Sequence, residues 1–328
     1  MKLTIGIPTY NRDEYLNLTL ENIKESIGYY KGDWNIEVVI VDNSSIDKTE
    51  EIAKKFILQN KYLDIKYFKN ILNIGFDRNV NKIMQCSSGD YVLLVSDDDL
   101  LENNCIKYLI KSIDNIKVTL GVIYINSFLM SSDGHNIDKN NELLFEIIGN
   151  NKLFNNGIDL IQTIKMQLYG GFTGITFNKK IWQENFSSKC FDTNYIQLCM
   201  AYRILSNNPV YVIYERLVKL RVANNTGRWA SDGRLFLGLF KAFLPSKNLF
   251  PIKVYKLLYS DRLWEIRRSY LLYKLQKDND QRKLKDYAIN SLDKQRISFW
   301  LIDIILINLP VVPIFNKLYN LIKKIFKV

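Results

Sequence analysis

The chain contains a single histidine, His135, and its four cysteines, Cys86, Cys105, Cys190 and Cys199, form no C-x-x-C pair. A structural zinc site lacks ligands at the usual spacing, and no disulfide framework is indicated, so the cysteines are expected to be reduced core thiols. With its only histidine in the polar stretch Ser131–His135, the chain is poorly suited to Ser-His-Asp hydrolysis. Phosphate-binding glycine loops are missing as well. There is no G-x-x-x-x-G-K-[ST] motif and no G-x-G-x-x-G after a strand, which sets aside P-loop enzymes and dinucleotide oxidoreductases. The N-terminus runs straight into a strand pattern without a charged and then apolar leader, so secretion is not expected.

What is present describes a folded, basic protein. The 328 residues suffice for one large core with an extension, and 47% hydrophobic against 24% charged residues excludes a disordered chain. The formal net charge of +11 favours anionic partners: phosphorylated substrates, an anionic membrane or nucleic acid. No recognisable nucleic-acid module supports the last of these.

The first hundred residues alternate strand and helix. Leu3–Ile7 reads as a buried strand stopped by Pro8, and Glu14–Ile27 as a helix with Leu16, Leu20, Ile23 and Ile27 on one face. The apolar runs Ile36–Val41 and Tyr91–Val95 suit central parallel strands, and Ile65–Phe68 a short one. Helices are expected over Thr49–Leu58 and Asn79–Cys86, and another starting near Leu100. Later strands are expected over Leu120–Ile125, Ile175–Phe177, Val210–Ile213 and Leu217–Val222, with a helix over Ile158–Leu168 and a helical, basic pattern from Leu235 onward. The alternation predicts an α/β fold with an open, mostly parallel sheet. Ligands bind such sheets at the carboxyl ends of the strands. Those ends carry Thr9-Tyr10-Asn11-Arg12, Asp42-Asn43-Ser44-Ser45 and Ser96-Asp97-Asp98-Asp99, so three polar clusters converge on one rim.

Three successive aspartates after a buried strand concentrate negative charge, which is costly without a cation. Carboxylates suit Mg²⁺ or Mn²⁺, which takes its remaining ligands from phosphates and water. The run lacks the glycine and distal glutamate of an EF-hand loop. Aspartate at this place also serves a helix N-terminus, and Asp99 is expected to cap the helix near Leu100.

Four ordered segments resemble the family 2 glycosyltransferases: Ile5–Arg12, Val39–Thr49, Asn73–Phe76 and Gly89–Asp99. The likeness is strong over residues 3–103 and weak over residues 170–230. It implies a GT-A fold, a nucleoside-diphosphate-sugar donor and inverting transfer. On that resemblance Pro8, Thr9, Tyr10 and Arg12 lie under the nucleoside. Asp42, with Asn43 beside it, accepts from the base, and Asn73, Gly75 and Asn79 belong to the segment that closes over the nucleotide. In the acidic motif Ser96 replaces the first aspartate of the common D-x-D-D pattern, which makes Asp98 the leading metal ligand, with Asp97 and Asp99 beside it. The S-D-D-D form resembles the branch of surface-glycan enzymes that includes abequosyltransferases, and points to a deoxysugar or other unusual sugar.

An inverting transferase needs a carboxylate to take the acceptor's proton. The E-D pair that usually supplies it is not found, and the nearest candidate is Asp192 in Phe191–Tyr195, which also suits a helix N-cap. Arg221–Trp229 resembles a late loop over the diphosphate, with Arg221 and Arg228 as phosphate partners and Trp229 packing over the donor. Near the C-terminus Ile297–Phe315 is apolar but interrupted by Asp303, Asn308, Pro310 and Pro313, too broken to span a bilayer. Lys317–Lys327 separates apolar and lysine residues onto two helical faces, as helices in a membrane interface do.

The organisation expected is a GT-A domain over 1–230, with a nucleotide-sugar half (1–115) and an acceptor half (116–230), and a helical extension over 231–328. The expected protein is cytoplasmic and peripheral on the bacterial inner membrane, acting on a lipid-diphosphate-linked or polysaccharide acceptor. Two other readings are an inactive binding protein on the same fold and a nucleotidyltransferase. The second is disfavoured because Gly6–Tyr10 offers no glycine-rich basic loop.

Overall fold

The computed structural model describes residues 1–131, 136–137, 148–164, 171–221 and, in the region 242–254, positions 242, 245 and 248–254. The expected helical extension, including Leu257–Leu275 and the tail 297–328, lies outside the described residues.

The elements are β1 (Lys2–Thr9), α1 (Asp13–Tyr29), β2 (Asn35–Asp42), α2 (Thr49–Gln59), β3 (Asp64–Lys69), α3 (Phe76–Cys86), β4 (Tyr91–Leu94), β5 (Leu100–Leu101) and α4 (Cys105–Asn115). They continue with β6 (Val122–Met130), β7 (Asn136–Ile137), β8 (Lys152–Phe154), α5 (Gly157–Ile164), β9 (Ile175–Asn178), α6 (Lys179–Asn185), α7 (Ile196–Leu205) and β10 (Val210–Arg221). One sheet runs β3-β2-β1-β4-β9-β6-β10-β5, with β7 on β6 and β8 on β10. Its first half, β3-β2-β1-β4, is parallel, and β9 enters antiparallel between β4 and β6.

Both faces of the sheet are covered, which explains why the central strands are apolar at every position instead of alternating. On β2, Val39 and Val41 join the core under α3, α5, α6 and α7, whereas Val38 and Ile40 join the core under α1, α2 and α4. On β4, Val92 and Leu94 divide from Leu93 in the same way. Gly6 permits the close approach of α3, because a Cβ there would come within 2.4 Å of Ile83 Cγ2.

Several local expectations are corrected. β1 runs through Pro8, whose Cα partner is Val41. The pairing with β4 ends at Gly6–Leu94, so the missing N–H of Pro8 faces a side with no further ladder to lose. No helix starts at Leu100. Leu100 and Leu101 pair antiparallel with Lys219 and Val218, and α4 begins only at Cys105. The two late strands are one, β10, with register shifts between Ile213 and Val218. Nor are all the cysteines reduced: Cys190 and Cys199 form a disulfide, while Cys86 and Cys105 are free. Spacing alone hid that pair, because a short 3-10 turn and α7 bring the two together in the core.

At the end of the sheet opposite the rim, Glu37 is a buried carboxylate bonded by its surroundings. It accepts from Lys66 Nζ at 2.7 Å, from Ser88 Oγ at 2.6 Å, from Gly89 N at 3.2 Å, and from the Thr4 hydroxyl and Ser88 N–H. Burial alone would raise its pKa. The bonds from Lys66, Ser88 and Thr4 outweigh that and hold it well below the ordinary carboxylate range.

Candidate functional site

The loops after β1, β2 and β3 are knitted together by polar side chains. Asn11, at φ 52°, donates its N–H to Ser45 Oγ at 2.9 Å and accepts from Ile46 N at 3.0 Å. Asp42 is fully buried at the end of β2. One of its oxygens accepts from Ser45 N (2.8 Å) and Ser45 Oγ (2.6 Å), the other from the Tyr67 hydroxyl (2.6 Å). Asp42 therefore shapes the turn that carries Asn43 and Ser44, the latter at φ 71°.

Asparagines link that turn to the next segment. Asn43 donates to Asn73 Oδ1 at 2.8 Å and accepts from Ile74 N and Asn70 Nδ2. Asn70 also donates to Asn79 Oδ1 at 2.8 Å, and Asn79 donates to the Val41 carbonyl. Asn79 is buried and supports the segment from below. Gly75 takes φ 83°, ψ 160°, a conformation open almost only to glycine, and its N–H bonds back to Asn73 Oδ1 at 2.9 Å before α3 begins. Around these loops Tyr10, Ile46, Ile71 and Leu72 are exposed.

The acidic run lies where β4 ends, and its members differ. Asp97 and Asp99 are buried, while Asp98 is partly exposed. Asp99 accepts from Arg221 N at 2.8 Å on one oxygen and from the Thr173 hydroxyl on the other. It thus ties β4 to β10 and caps no helix. Ser96 Oγ donates to Asp98 Oδ1 at 2.6 Å. The Arg12 guanidinium stands 3.6 Å from oxygens of both Asp97 and Asp98. Burial raises Asp97 to about 7; the Asp98 charge adds to this, and Thr9 and Arg12 work against it. Burial and Asp98 raise Asp99 likewise, opposed by Thr173 and Arg221.

Within the acidic run, Asp98 is the member whose surroundings suit a divalent cation. Among the described residues no group of three or more His, Cys, Asp and Glu side chains is arranged to hold a metal. The oxygens of Asp99 are bonded internally and Asp97 is packed against Thr9 and Arg12, which leaves Asp98 as the carboxylate with a solvent-facing part. One protein carboxylate with phosphate oxygens and water is an ordinary Mg²⁺ arrangement.

Arg221 is brought to the acidic run, where its Nε donates to the Asp98 carbonyl at 2.9 Å and its guanidinium lies 5.0 Å from the centre of the Tyr15 ring. Arg228 and Trp229 lie outside the described residues. Asp192 is exposed, at φ 62°, and forms an ion pair with Arg78 at 2.7 Å. It does not cap α7. Asp77, on α3, accepts there from Thr193 N, Asn194 N and Ile196 N. The acidic run and the Asp192 loop meet through a chain of contacts. Thr173 binds Asp99, its neighbour Phe172 packs edge-on to Phe76 at 5.4 Å, and Phe76 opens the helix that carries Asp77 and Arg78.

Thr173, Asp77 and Arg78 are the site residues that sequence reasoning missed. Asp77 and Arg78 follow directly on Asn73–Phe76, and their place in the first turn of a helix was the available signal. Thr173 stands just before the expected strand Ile175–Phe177, but its partner Asp99 is remote in sequence.

The sequence and the fold are similar to those of known proteins. The abequosyltransferase RfbV of Salmonella typhimurium is 35% identical over 116 residues, which is 35% of this chain and 33% of that protein. The poly(ribitol-phosphate) beta-N-acetylglucosaminyltransferase TarS of Staphylococcus aureus is 31% identical over 108 residues, 33% of this chain and 18% of TarS. The match thus spans about a third of one relative and less than a fifth of the other. Among solved structures, TarS 1–349 in complex with UDP-GlcNAc superposes with a TM-score of 0.59 at 16% identity, covering 87% of this chain and 79% of that one. The mannosyltransferase PcManGT of Pyrobaculum calidifontis, in complex with GDP-Man and Mn²⁺, gives 0.56 at 15% identity, covering 93% and 84%. These likenesses show the fold, the GT-A arrangement of a mostly parallel open sheet. Residues 4–172, more than half of the chain, match the model of glycosyl transferase family 2, and the chain belongs to that family.

Proposed function

We propose that this chain transfers a sugar from a nucleoside-diphosphate sugar, with inversion, to a lipid-diphosphate-linked or surface-polysaccharide acceptor. The observation that carries this reading is the position of Asp98. It is the partly exposed carboxylate of an otherwise internally bonded acidic run, at the strand end where such sheets bind ligands. Membership of the family, and the UDP-GlcNAc and GDP-Man in complex with the similar TarS and PcManGT structures, support a nucleotide-sugar donor.

In this reading Pro8, Thr9, Tyr10 and Arg12 form the floor under the nucleoside. Asp42 and Asn43 order the neighbouring turn, and Asn73 and Gly75 border the nucleotide from the other side. Asp98 would hold Mg²⁺ or Mn²⁺, which when bound neutralises charge on the diphosphate leaving group. Arg12, 3.6 Å from oxygens of both Asp97 and Asp98, would pair with the phosphates through its guanidinium. Arg221, Arg228 and Trp229 complete the diphosphate side. Asp192 accepts the acceptor hydroxyl's proton as the new C–O bond forms at the anomeric carbon and the bond to the diphosphate oxygen breaks. That step requires Asp192 to exchange its partner Arg78 for the acceptor.

Abequosyltransferase and poly(ribitol-phosphate) beta-N-acetylglucosaminyltransferase among the relatives support a surface-glycan acceptor. Among the described residues no helix is long and apolar enough to cross a membrane. We place the protein on the cytoplasmic face of the bacterial inner membrane through its amphipathic, lysine-bearing C-terminal segment. Deleting residues 310–328 should then release it from the membrane fraction.

The test of the reading is a panel of UDP-, GDP- and CDP-sugars with Mn²⁺, followed by thermal shift and by nucleotide release. A cognate donor stabilises the protein and is slowly hydrolysed, and Asp98→Ala abolishes both effects with folding retained. Stabilisation without any nucleotide release would favour an inactive binding protein, and no response to any member of the panel would overturn the reading.

A further inference from the structure

The loop that carries Asp192 is held by a residue from the other half of the chain. Asp77 is 3% exposed, and its Oδ2 accepts from Thr193 N at 2.7 Å and Asn194 N at 2.8 Å. Its Oδ1 accepts from Ile196 N at 3.0 Å. These partners are 116 to 119 positions away. Burial raises its pKa, and the bonds from Asn194, Ile196 and Thr193 oppose the rise. A buried carboxylate with three N–H donors from one short segment serves that segment's geometry.

The segment needs such a hold. Asp192 and Asn194 both take positive φ, 62° and 59°, without being glycine. Conformations of that kind persist only where the surroundings over-determine them. Here Thr193 Oγ1 also bonds the Cys190 carbonyl at 3.0 Å, and the Cys190–Cys199 disulfide closes the loop. The next residue on α3, Arg78, then engages the Asp192 side chain through two contacts at 2.7 and 3.3 Å and stacks 4.7 Å from the centre of the Phe191 ring. One residue fixes the backbone of the loop and its neighbour fixes the side chain. Both extend from the turn that follows Asn73–Gly75, the segment assigned to the nucleotide.

We infer that Asp77 is a positioning residue for Asp192: it presents the loop, acting through the backbone amides of Thr193, Asn194 and Ile196, while Arg78 parks the carboxylate until an acceptor replaces it. The catalytic consequence rests on the reading of Asp192 as the base. The positional claim stands apart from it.

The test is residue-resolved amide exchange on the full chain, together with the Arg78 Nε–H resonance. An asparagine at 77 keeps one acceptor oxygen and loses the charge. Asp77→Asn should therefore speed exchange at Thr193, Asn194 and Ile196 by about tenfold or more, with Ser45 and Gly75 unaffected. It should also shift the Arg78 signal in the direction given by Asp192→Asn. Asp192→Asn should leave the three amides protected. Unchanged amides in Asp77→Asn, or equal loss of protection in Asp192→Asn, would overturn the inference. Should Asp77→Asn not fold, the wild-type chain decides. Protection at the three amides matching that inside α3 upholds it, and exchange at the rate of an open loop overturns it. Full sugar transfer by Asp192→Asn would remove the base assignment while leaving the positional result intact.

Discussion

Arg221 donates its backbone N–H to Asp99 across 122 positions of sequence, at 2.8 Å. With the Thr173 hydroxyl on the other oxygen, this makes Asp99 a joint between β4 and β10. Asp98, one residue earlier, has a different job. Its charge pushes the pKa values of both Asp97 and Asp99 upward, so in the absence of a cation it works against the fold.

The two aspartates should therefore separate stability from ligand binding. Asp98→Asn is expected to leave the melting temperature unchanged or slightly raised, because it relieves repulsion within the acidic run. It should lose the Mn²⁺-dependent shift given by a nucleoside diphosphate. Asp99→Asn places an amide where two donors converge and should cost about 1–3 kcal/mol. Thermal melts of both variants, with and without Mn²⁺ and UDP, GDP or CDP, check this. The assignment fails if Asp98→Asn proves the more destabilised of the two.

Glu37 sets an acid limit. Its folded pKa is depressed below the unfolded value of about 4.3, so its stabilisation is complete above that value and disappears as pH falls through the folded one. Breaking a buried, paired carboxylate costs about 3–5 kcal/mol, and Glu37→Gln should show a loss of that order at neutral pH. The gap between wild type and variant should narrow steadily below about pH 4. Urea denaturation at a series of pH values measures it, and a gap independent of pH would refute the assignment.

The sheet was legible in the sequence because its central strands are buried on both faces and carry unbroken apolar runs ending in polar clusters. The rim was legible for the same reason: Arg12, Asp42 and Asp98 each sit just beyond such a run. What was not legible depends on distant partners. Nothing local distinguishes Asp99 as a strand tie from Asp99 as a helix cap, because the choice is made by Thr173 and Arg221. Asp192 suited an N-cap by position, yet Asp77 performs that service from α3. The Cys190–Cys199 pair likewise follows from tertiary packing, since neither cysteine has a recognisable spacing motif.

Gly75 offers a test of the rim itself. A Cβ at this position meets nothing within 4 Å, so substitution is opposed by backbone conformation alone. With φ 83° and ψ 160°, Gly75→Ala should cost about 1–3 kcal/mol of local strain. Because Gly75 N bonds Asn73 Oδ1, the strain should appear as weaker nucleotide binding more than as global unfolding. Titration of the nucleoside diphosphates by calorimetry, beside a thermal melt, separates the two effects. Equal affinity in Gly75→Ala and wild type would remove this segment from the nucleotide site.

The disulfide can be tested in the same terms. Cys190 and Cys199 are nine positions apart and buried, and they close the loop that contains Asp192. Cross-linking a loop of this size restricts the unfolded chain by about 2–3 kcal/mol. Cys199→Ser should therefore lower stability by roughly that amount under oxidising conditions. It should leave the stability of the chain in dithiothreitol nearly unchanged, once wild type is reduced as well. Thiol counting on the denatured wild-type chain should find two free cysteines, Cys86 and Cys105, before reduction and four after it. Four free thiols from the outset would show that the pair is not joined in solution, and the loop would then depend on its contacts with Asp77 and Arg78 and on the Thr193–Cys190 bond.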